Sequence, residues 1–220
     1  MEKIIRVVPA ILTDDPKALE RMIHQSKTFT NYVQLDIMDG QFVPSQSITC
    51  KHLVDSPIKL NWEAHLMVLR PEDYLEDFHK AGAQNIIFHH EATTSPQKVI
   101  SSARNFGLRV GLAVNPETPV SDIIPLADEV DSVLFLSVHP GFYGSKFIPE
   151  VLDKLAEFRR TKPGVEIGVD GGVKETNIIQ IAQSGADVIY VGSAIFLQPQ
   201  PDESFRHLQA LVNKSPRQNS

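Results

Sequence analysis

The sequence predicts one α/β domain, a closed (β/α)8 barrel, and three observations predict it. Short β-branched runs alternate eight times with longer amphipathic stretches. Spread over 220 residues, this allots about 27 residues to each unit, the order of one βαβ step. Strict alternation calls for a parallel sheet covered by helices, and eight such units close most simply into a barrel. The turn after the first strand, Ala10-Ile11-Leu12-Thr13-Asp14-Asp15, contains no glycine. An open doubly wound sheet, which usually carries a Gly-rich dinucleotide turn there, is therefore the lesser alternative.

Taken in order, Ile4 to Ile11 reads as the first strand, and Asp15-Pro16 then supplies an N-cap and an N1 proline for the first helix. Tyr32 to Met38 and Leu60 to Val68 are the second and third strands. Arg70-Pro71-Glu72-Asp73 opens a helix that Lys80-Ala81-Gly82-Ala83 closes with a C-terminal glycine. Strands at Asn85 to His89, Arg109 to Val114, Asp131 to Val138 and Val165 to Val169 follow. Gln183-Ser184-Gly185-Ala186 ends another helix, and Asp187 to Val191 is the eighth strand. The domain is expected to occupy residues 1–212, and the polar stretch 213–220, interrupted by Pro216, to fray as a tail.

Composition removes several functional classes. Twenty-seven acidic against 21 basic side chains leave a formal charge of −6. That sign opposes the attraction on which nucleic-acid and anionic-membrane binding depend, so neither is an expected partner. No apolar run approaches the roughly 18 residues needed to span a bilayer, and Met1-Glu2-Lys3 leads into a strand instead of a signal peptide. A cytoplasmic protein is expected. Cys50, the only cysteine, excludes an intrachain disulfide and a Cys-rich zinc site.

Barrel enzymes of this kind work at the C-terminal ends of their strands, and here those ends are polar. Gln34, Asp36 and Met38 share one face of the second strand, with Leu35 and Ile37 on the helix-facing side. Asp36 therefore points into the barrel mouth, the competing reading being a turn or capping Asp. Asp39-Gly40 is an ordinary turn dipeptide. Glu63, His65 and Met67 face the same way on the third strand, where His65 is either a hydrogen-bonded core residue or a metal ligand or acid/base group beside Asp36. His89, ending the fourth strand, is a candidate lining residue. Glycines follow the sixth strand (Gly141, Gly144), the seventh (Gly171, Gly172) and the eighth (Gly192, before Ser193). Any one of these loops is explicable as a tight turn. Together on one rim they point to a phosphate, with Asp170 an acid group beside it and across the mouth from Asp36.

These residues resemble the ribulose-phosphate 3-epimerase family over nearly the whole chain. The segments that carry the resemblance are Val8 to Leu12, Leu35-Asp36-Ile37-Met38-Asp39-Gly40 through Pro44, His65 to Val68, Asn115 to Pro119, Ser137 to Phe142, Val169 to Val173 and Val191 to Ala194. The resemblance implies a TIM barrel that interconverts D-ribulose 5-phosphate and D-xylulose 5-phosphate by inverting carbon 3 with a divalent metal (Zn, Mn, Fe or Mg). It also suggests a homo-oligomer. By position, Asp36 and Asp170 look like the two catalytic acid/base residues and metal ligands, and His65 like a further ligand facing the substrate. Gly141, Phe142, Tyr143, Gly144, Gly171, Gly172, Gly192 and Ser193 look like phosphate-side contacts, and Met38 and Met67 like site-lining methionines.

The chain departs from the family pattern at named positions. Gln34 stands where the family has a histidine ligand, and its neutral amide oxygen suits harder cations better than zinc. Ala10 replaces a serine, Leu136 a methionine, and Tyr143 and Ser145 a glycine and a glutamine. These changes leave open an epimerase of another ketose phosphate, or a non-catalytic phosphosugar-binding homologue. No inward lysine ends a strand, so a Schiff-base aldolase is not expected.

Overall fold

The computed structural model describes residues 4–55, 58–141 and 145–214. Phe142, Tyr143, Gly144 and the tail from residue 215 on lie outside them. Eight strands, β1 (Arg6–Ile11), β2 (Tyr32–Met38), β3 (Asn61–Met67), β4 (Asn85–His89), β5 (Arg109–Val114), β6 (Ser132–Leu136), β7 (Glu166–Asp170) and β8 (Val188–Val191), pair in sequence order as a closed, all-parallel barrel. The expected (β/α)8 barrel is therefore the fold, in a single domain.

The helices are α1 (Pro16–Ser26), α2 (Cys50–Asp55), α3 (Leu75–Lys80), α4 (Pro96–Asn105), α5 (Val120–Ile123), α6 (Val151–Thr161), α7 (Glu175–Gln183), α8 (Ser193–Phe196) and α9 (Pro201–Asn213). Asp15 caps α1 as expected, accepting from Lys17 N at 2.9 Å. The helix expected at Arg70 begins later. Pro71–Asp73 is one 3-10 turn and α3 starts at Leu75, because Arg70 adopts a left-handed φ of 55° that no helix continues. α5 is a single turn, and a 3-10 turn at Ile124–Leu126 follows where Pro125 withdraws an N–H. α9 runs through Asn213, one residue past the expected domain end.

Period-two alternation divides each strand between two cores. On β2, Val33, Leu35 and Ile37 pack under the helices, while Gln34, Asp36 and Met38 face the barrel axis. Burying each such aliphatic side chain contributes about 1.5–3 kcal/mol. The axis is filled mid-barrel by Val8, Ala10, Ile87, Ala113, Leu134 and Tyr190. Below them Glu63 accepts from Tyr32 Oη (3.1 Å) and Asn85 Nδ2 (2.5 Å).

Asp131 and Asp187 had been expected to begin strands, but each sits one residue before its strand as a bracket. Asp131 Oδ2 accepts from Val110 N and Arg104 Nη1, and Asp187 Oδ2 from Ile167 N and Arg159 Nη2. The seam is held from outside: Gln209 of α9 accepts from Val7 N (2.9 Å) and donates to Ile5 O (2.8 Å).

Gly168 faces inward on β7, and a Cβ there would lie 2.8 Å from the Tyr190 ring and 3.0 Å from Leu134. Gly168→Ala is expected to lower stability by about 1–3 kcal/mol through overpacking, read as a shift of the urea unfolding midpoint. An unchanged midpoint refutes this account of the barrel interior.

Candidate active site

Strand register brings the reactive side chains together. Asp36 on β2 is the Cα partner of His65 on β3, and Leu136 on β6 is that of Asp170 on β7. Across the mouth, the facing atoms of Asp36, His65 and Asp170 lie within 4.8 Å of one another. His65 Nδ1 is 3.0 Å from Asp36 Oδ1 and 3.6 Å from Asp170 Oδ2. Beneath them Gln34 is fully buried, and its Nε2 donates both to Asp36 Oδ1 (3.0 Å) and to Asp170 Oδ2 (2.8 Å). One amide thus ties two carboxylates from opposite sides of the barrel. Gln34 turns its nitrogen to this centre and leaves Oε1 buried with no hydrogen-bond partner.

The backbone around the carboxylates is fixed by two serines to which sequence reasoning gave no role. Ser47 Oγ donates to Asp36 O and accepts from Met38 N, both at 2.9 Å. Ser137 Oγ donates to Asp170 O (2.9 Å) and Gly171 O (2.7 Å). Asp39 is structural, as expected of a turn residue: its carboxylate accepts from Gln41 N, Phe42 N and Leu69 N.

Asp36, His65 and Asp170 open into a cavity of about 260 Å³. Met38 and Met67, packed with Leu12, Phe42 and Val43, form one wall, and Ala10, Leu136, Val138 and Gly141 add to the apolar lining. At the far end Gly171, Gly172, Gly192 and Ser193 join the cavity, with Ser145 and Lys174 beside them. Gly171 and Gly172 have φ values of 110° and 61°, and a Cβ on Gly172 would meet the Phe147 backbone at 2.9 Å. Lys174, the N-cap of α7, was not anticipated as a lining residue.

His89 does not line the cavity. It is fully buried behind His65, with Nε2 3.0 Å from His65 Nε2, against the Phe42 ring. Its Nδ1 faces Glu91 Oε2 at 3.4 Å. The other Glu91 oxygen accepts from Asn115 N (2.9 Å) and Thr118 Oγ1.

Electrostatics follow from burial and these contacts. Burial, then the charge of Asp170, push the Asp36 carboxyl above its ordinary range. Burial alone would lower the His65 pKa, but Asp170 and Asp36 outweigh it and raise the ring to about 9. His89, whose main influence is burial, is lowered to about 4. Burial would raise Glu91, yet the neighbouring His89 ring and hydrogen bonds from Thr118 and Asn115 N hold it down to about 2.

A closed (β/α)8 barrel with two carboxylates and an imidazole gathered at its C-terminal mouth stands among the barrel enzymes. Residues 6–196 match the Ribulose-phosphate 3 epimerase family. The chain is 34% identical over 218 residues to the ribulose-phosphate 3-epimerase of Schizosaccharomyces pombe, covering 96% of this chain and 95% of that one. It is 39% identical over 201 residues to the ribulose-phosphate 3-epimerase of Escherichia coli K12, covering 88% and 89%. The protein belongs to the ribulose-phosphate 3-epimerase family, whose members are isomerases. The structure of 3-hexulose-6-phosphate synthase from Salmonella typhimurium shares the fold, with a TM-score of 0.71 at 16% identity over 96% of this chain and 100% of that one. No helix among the described residues is long and apolar enough to cross a membrane.

In chelator-treated protein the His65 ring is expected to keep its extra proton through neutral pH and release it near pH 9, while His89 stays neutral down to about 4. Histidine 15N shifts followed against pH measure both, and a His65 titrating near 6.5 overturns this view of the cluster.

Proposed function

We propose that this protein inverts carbon 3 of a ketose phosphate, interconverting D-ribulose 5-phosphate and D-xylulose 5-phosphate, with Asp36 and Asp170 as the two proton-transfer groups. The observation that carries this reading is the pair of carboxylates joined through the Gln34 amide at the floor of one open cavity. The hydrogen on carbon 3 is acidic because the neighbouring carbon 2 is a ketone. Inversion removes that proton from one face and returns one to the other, so two acid/base groups must flank a planar enediolate. One Asp takes the proton while the other delivers one, and the roles exchange in the reverse direction. In the metal-free protein Gln34 gives one N–H to each carboxylate and holds both aimed into the mouth. Met38 and Met67 provide a polarisable wall that keeps water from the intermediate.

The phosphate is assigned to the end lined by Gly171, Gly172, Gly192 and Ser193, where Lys174 adds positive charge. Peptide planes there are pinned, since Gly171 O accepts from Ser137 and Gly172 O from Asn177 Nδ2. Gly141 closes the mouth from the β6 side. The names of the relatives support the choice of sugar.

The donor set fits a divalent metal. Asp36, His65 through Nδ1, and Asp170 would hold it, and the orphaned Gln34 Oε1 is a fourth donor once the amide exchanges its two ends. When bound, such an ion supplies Lewis-acid polarisation of the substrate oxygens. A set of three oxygens and one imidazole suits Mn, Fe or Mg better than Zn. Because an amide replaces an imidazole, a protein that binds the phosphosugar without turning it over is the second reading. Incorporation of deuterium at carbon 3 from D2O separates the two, since a binder leaves that hydrogen unexchanged.

Asp36→Asn and Asp170→Asn are each expected to lower turnover about 100-fold or more, the low end for a positioned acid/base group. Near-normal epimerisation by either variant would remove the two-carboxylate mechanism. Gln34→His is expected to tighten zinc binding in calorimetric titration by restoring a strong nitrogen donor. Equal zinc affinities would take Gln34 out of the donor set.

A further inference from the structure

We infer that Ser47 is a positioning residue for proton transfer: its hydroxyl replaces a missing rung of the β1–β2 ladder and fixes the peptide from which Asp36 reaches into the mouth. This rests on the reading of Asp36 as one of the two proton-transfer groups. The Ser47 side chain is buried and turned to the backbone of β2, so it acts on the reaction only through Asp36.

β2 is paired unequally along its two edges. On the β3 side the register runs to its last residue, with Met38 opposite Met67. On the β1 side it stops at Leu35, opposite Ile11, where β1 ends. Continued in step, that register would set Thr13 opposite Ile37. A parallel partner there would donate its N–H to Asp36 O and accept from Met38 N at its own carbonyl. Thr13 instead gives its carbonyl to Ile48 N at 2.9 Å. Ser47 takes the place of that partner. Its Oγ donates to Asp36 O and accepts from Met38 N, both at 2.9 Å, so one hydroxyl performs both duties of a strand peptide. The single hydroxyl proton belongs to Asp36 O, because Ile48 O stands further off at 3.3 Å. Ser47 N adds a bond to Met38 O at 3.1 Å.

The segment that carries Ser47 is fastened on either side of it. Val43 packs with Met38 and Met67, Gln46 bridges Asp39, and Ile48 is buried in the core under the helices. Ser47 is therefore a fixed brace against the chain just beyond Leu35, the last residue of β2 paired on both edges. Gln34 and His65 orient the carboxylate oxygens of Asp36, whereas the hydroxyl fixes the main chain from which they hang. Without it, Asp36 O and Met38 N each lose a buried partner, and the Asp36 peptide is released to turn. Asp170 is held differently, because Ser137 donates to Asp170 O from its own backbone N at 2.7 Å. Loss of the Ser47 hydroxyl thus displaces one carboxylate of the pair and leaves the other in place.

Ser47→Ala tests this on the purified enzyme, assayed in both directions with D-ribulose 5-phosphate and D-xylulose 5-phosphate. Turnover is expected to fall about tenfold or more, because a small misplacement of a reacting group slows the chemical step, while KM stays within about twofold. Ser47→Thr, which keeps the hydroxyl, is expected to restore most of the loss. A partly unfolded sample would also lower turnover, and deuterium at carbon 3 tells the two apart. Asp36 takes the carbon 3 hydrogen from one epimer and returns a proton to the other. Slowing its step alone raises the isotope effect on the epimer that Asp36 deprotonates and lowers it toward unity on the epimer that Asp170 deprotonates. Such opposite changes in S47A are the expected result. Isotope effects that stay as in the wild type, or that shift in the same sense in both directions, overturn the inference, as does unchanged turnover. Should S47A not fold, Ser47→Cys keeps the side-chain bulk with a thiol that is only a weak donor and acceptor, and the same comparison decides. Wild-type protein that leaves the carbon 3 hydrogen unexchanged defeats the proposed reaction and this inference with it, whereas an active wild type beside an unperturbed S47A defeats the inference alone.

Discussion

Two carboxylates facing each other in a buried barrel mouth repel, and the structure resolves that repulsion with one side-chain amide. Gln34 Nε2 gives a proton to each of Asp36 and Asp170, drawing β2 and β7 toward a common centre from opposite sides of the barrel. Hydrogen bonds to charged acceptors are worth about 1.5–3 kcal/mol each, comparable with burying a large aliphatic side chain. Around this centre the other polar contacts fall into place. His65 sits on Asp36, His89 on His65, and Ser47 and Ser137 hold the backbone from which the carboxylates project.

The layers of the barrel explain why such a cluster is tolerated. Aliphatic side chains plug the axis below it, so the charged groups are desolvated on one side and meet the open cavity on the other. The same plug separates them from the second polar group, Glu63 with Tyr32 and Asn85, near the N-terminal ends of the strands. Burial raises the Asp36 and Glu63 carboxyls alike, but only Asp36 has a neighbouring imidazole and access to the cavity. Position along the strand, rather than residue type, separates a structural carboxyl from a candidate reactive one.

Much of this was legible from residue order because a strand's two faces alternate. Once Leu35 and Ile37 were assigned to the helices, Gln34, Asp36 and Met38 had to face the axis, and they do. The rim glycines were visible for a similar reason, since Gly171 and Gly192 stand directly after β7 and β8 and Gly141 lies in the loop after β6. Ser47 and Ser137 were not, because what each bonds depends on where its loop or strand end comes to rest beside the carboxylate backbone. His89 was misjudged as a lining residue because alternation gives the side of the strand and not the depth. Register puts His89 opposite Ala113 on β5, while the Phe42 ring packs against its imidazole. Gln34 was read for its oxygen, and only the two facing carboxylates show that its nitrogen is wanted.

The closing of the sheet has a consequence for how the chain reaches this structure. β1 pairs with β8, and the glutamine that clamps β1 lies more than 200 positions further on, with sequence separations of 202 and 204. Neighbouring strands form their contacts across short loops, but this last junction requires the two extremes of the barrel to find each other. The entropy of closing so long a loop grows only logarithmically with length, yet it is owed before the final ladder gives anything back. Until that junction forms, β1 and β8 are open edges with unsatisfied backbone groups. The seam is therefore the place where an incompletely folded chain is most exposed to pairing with another copy of itself.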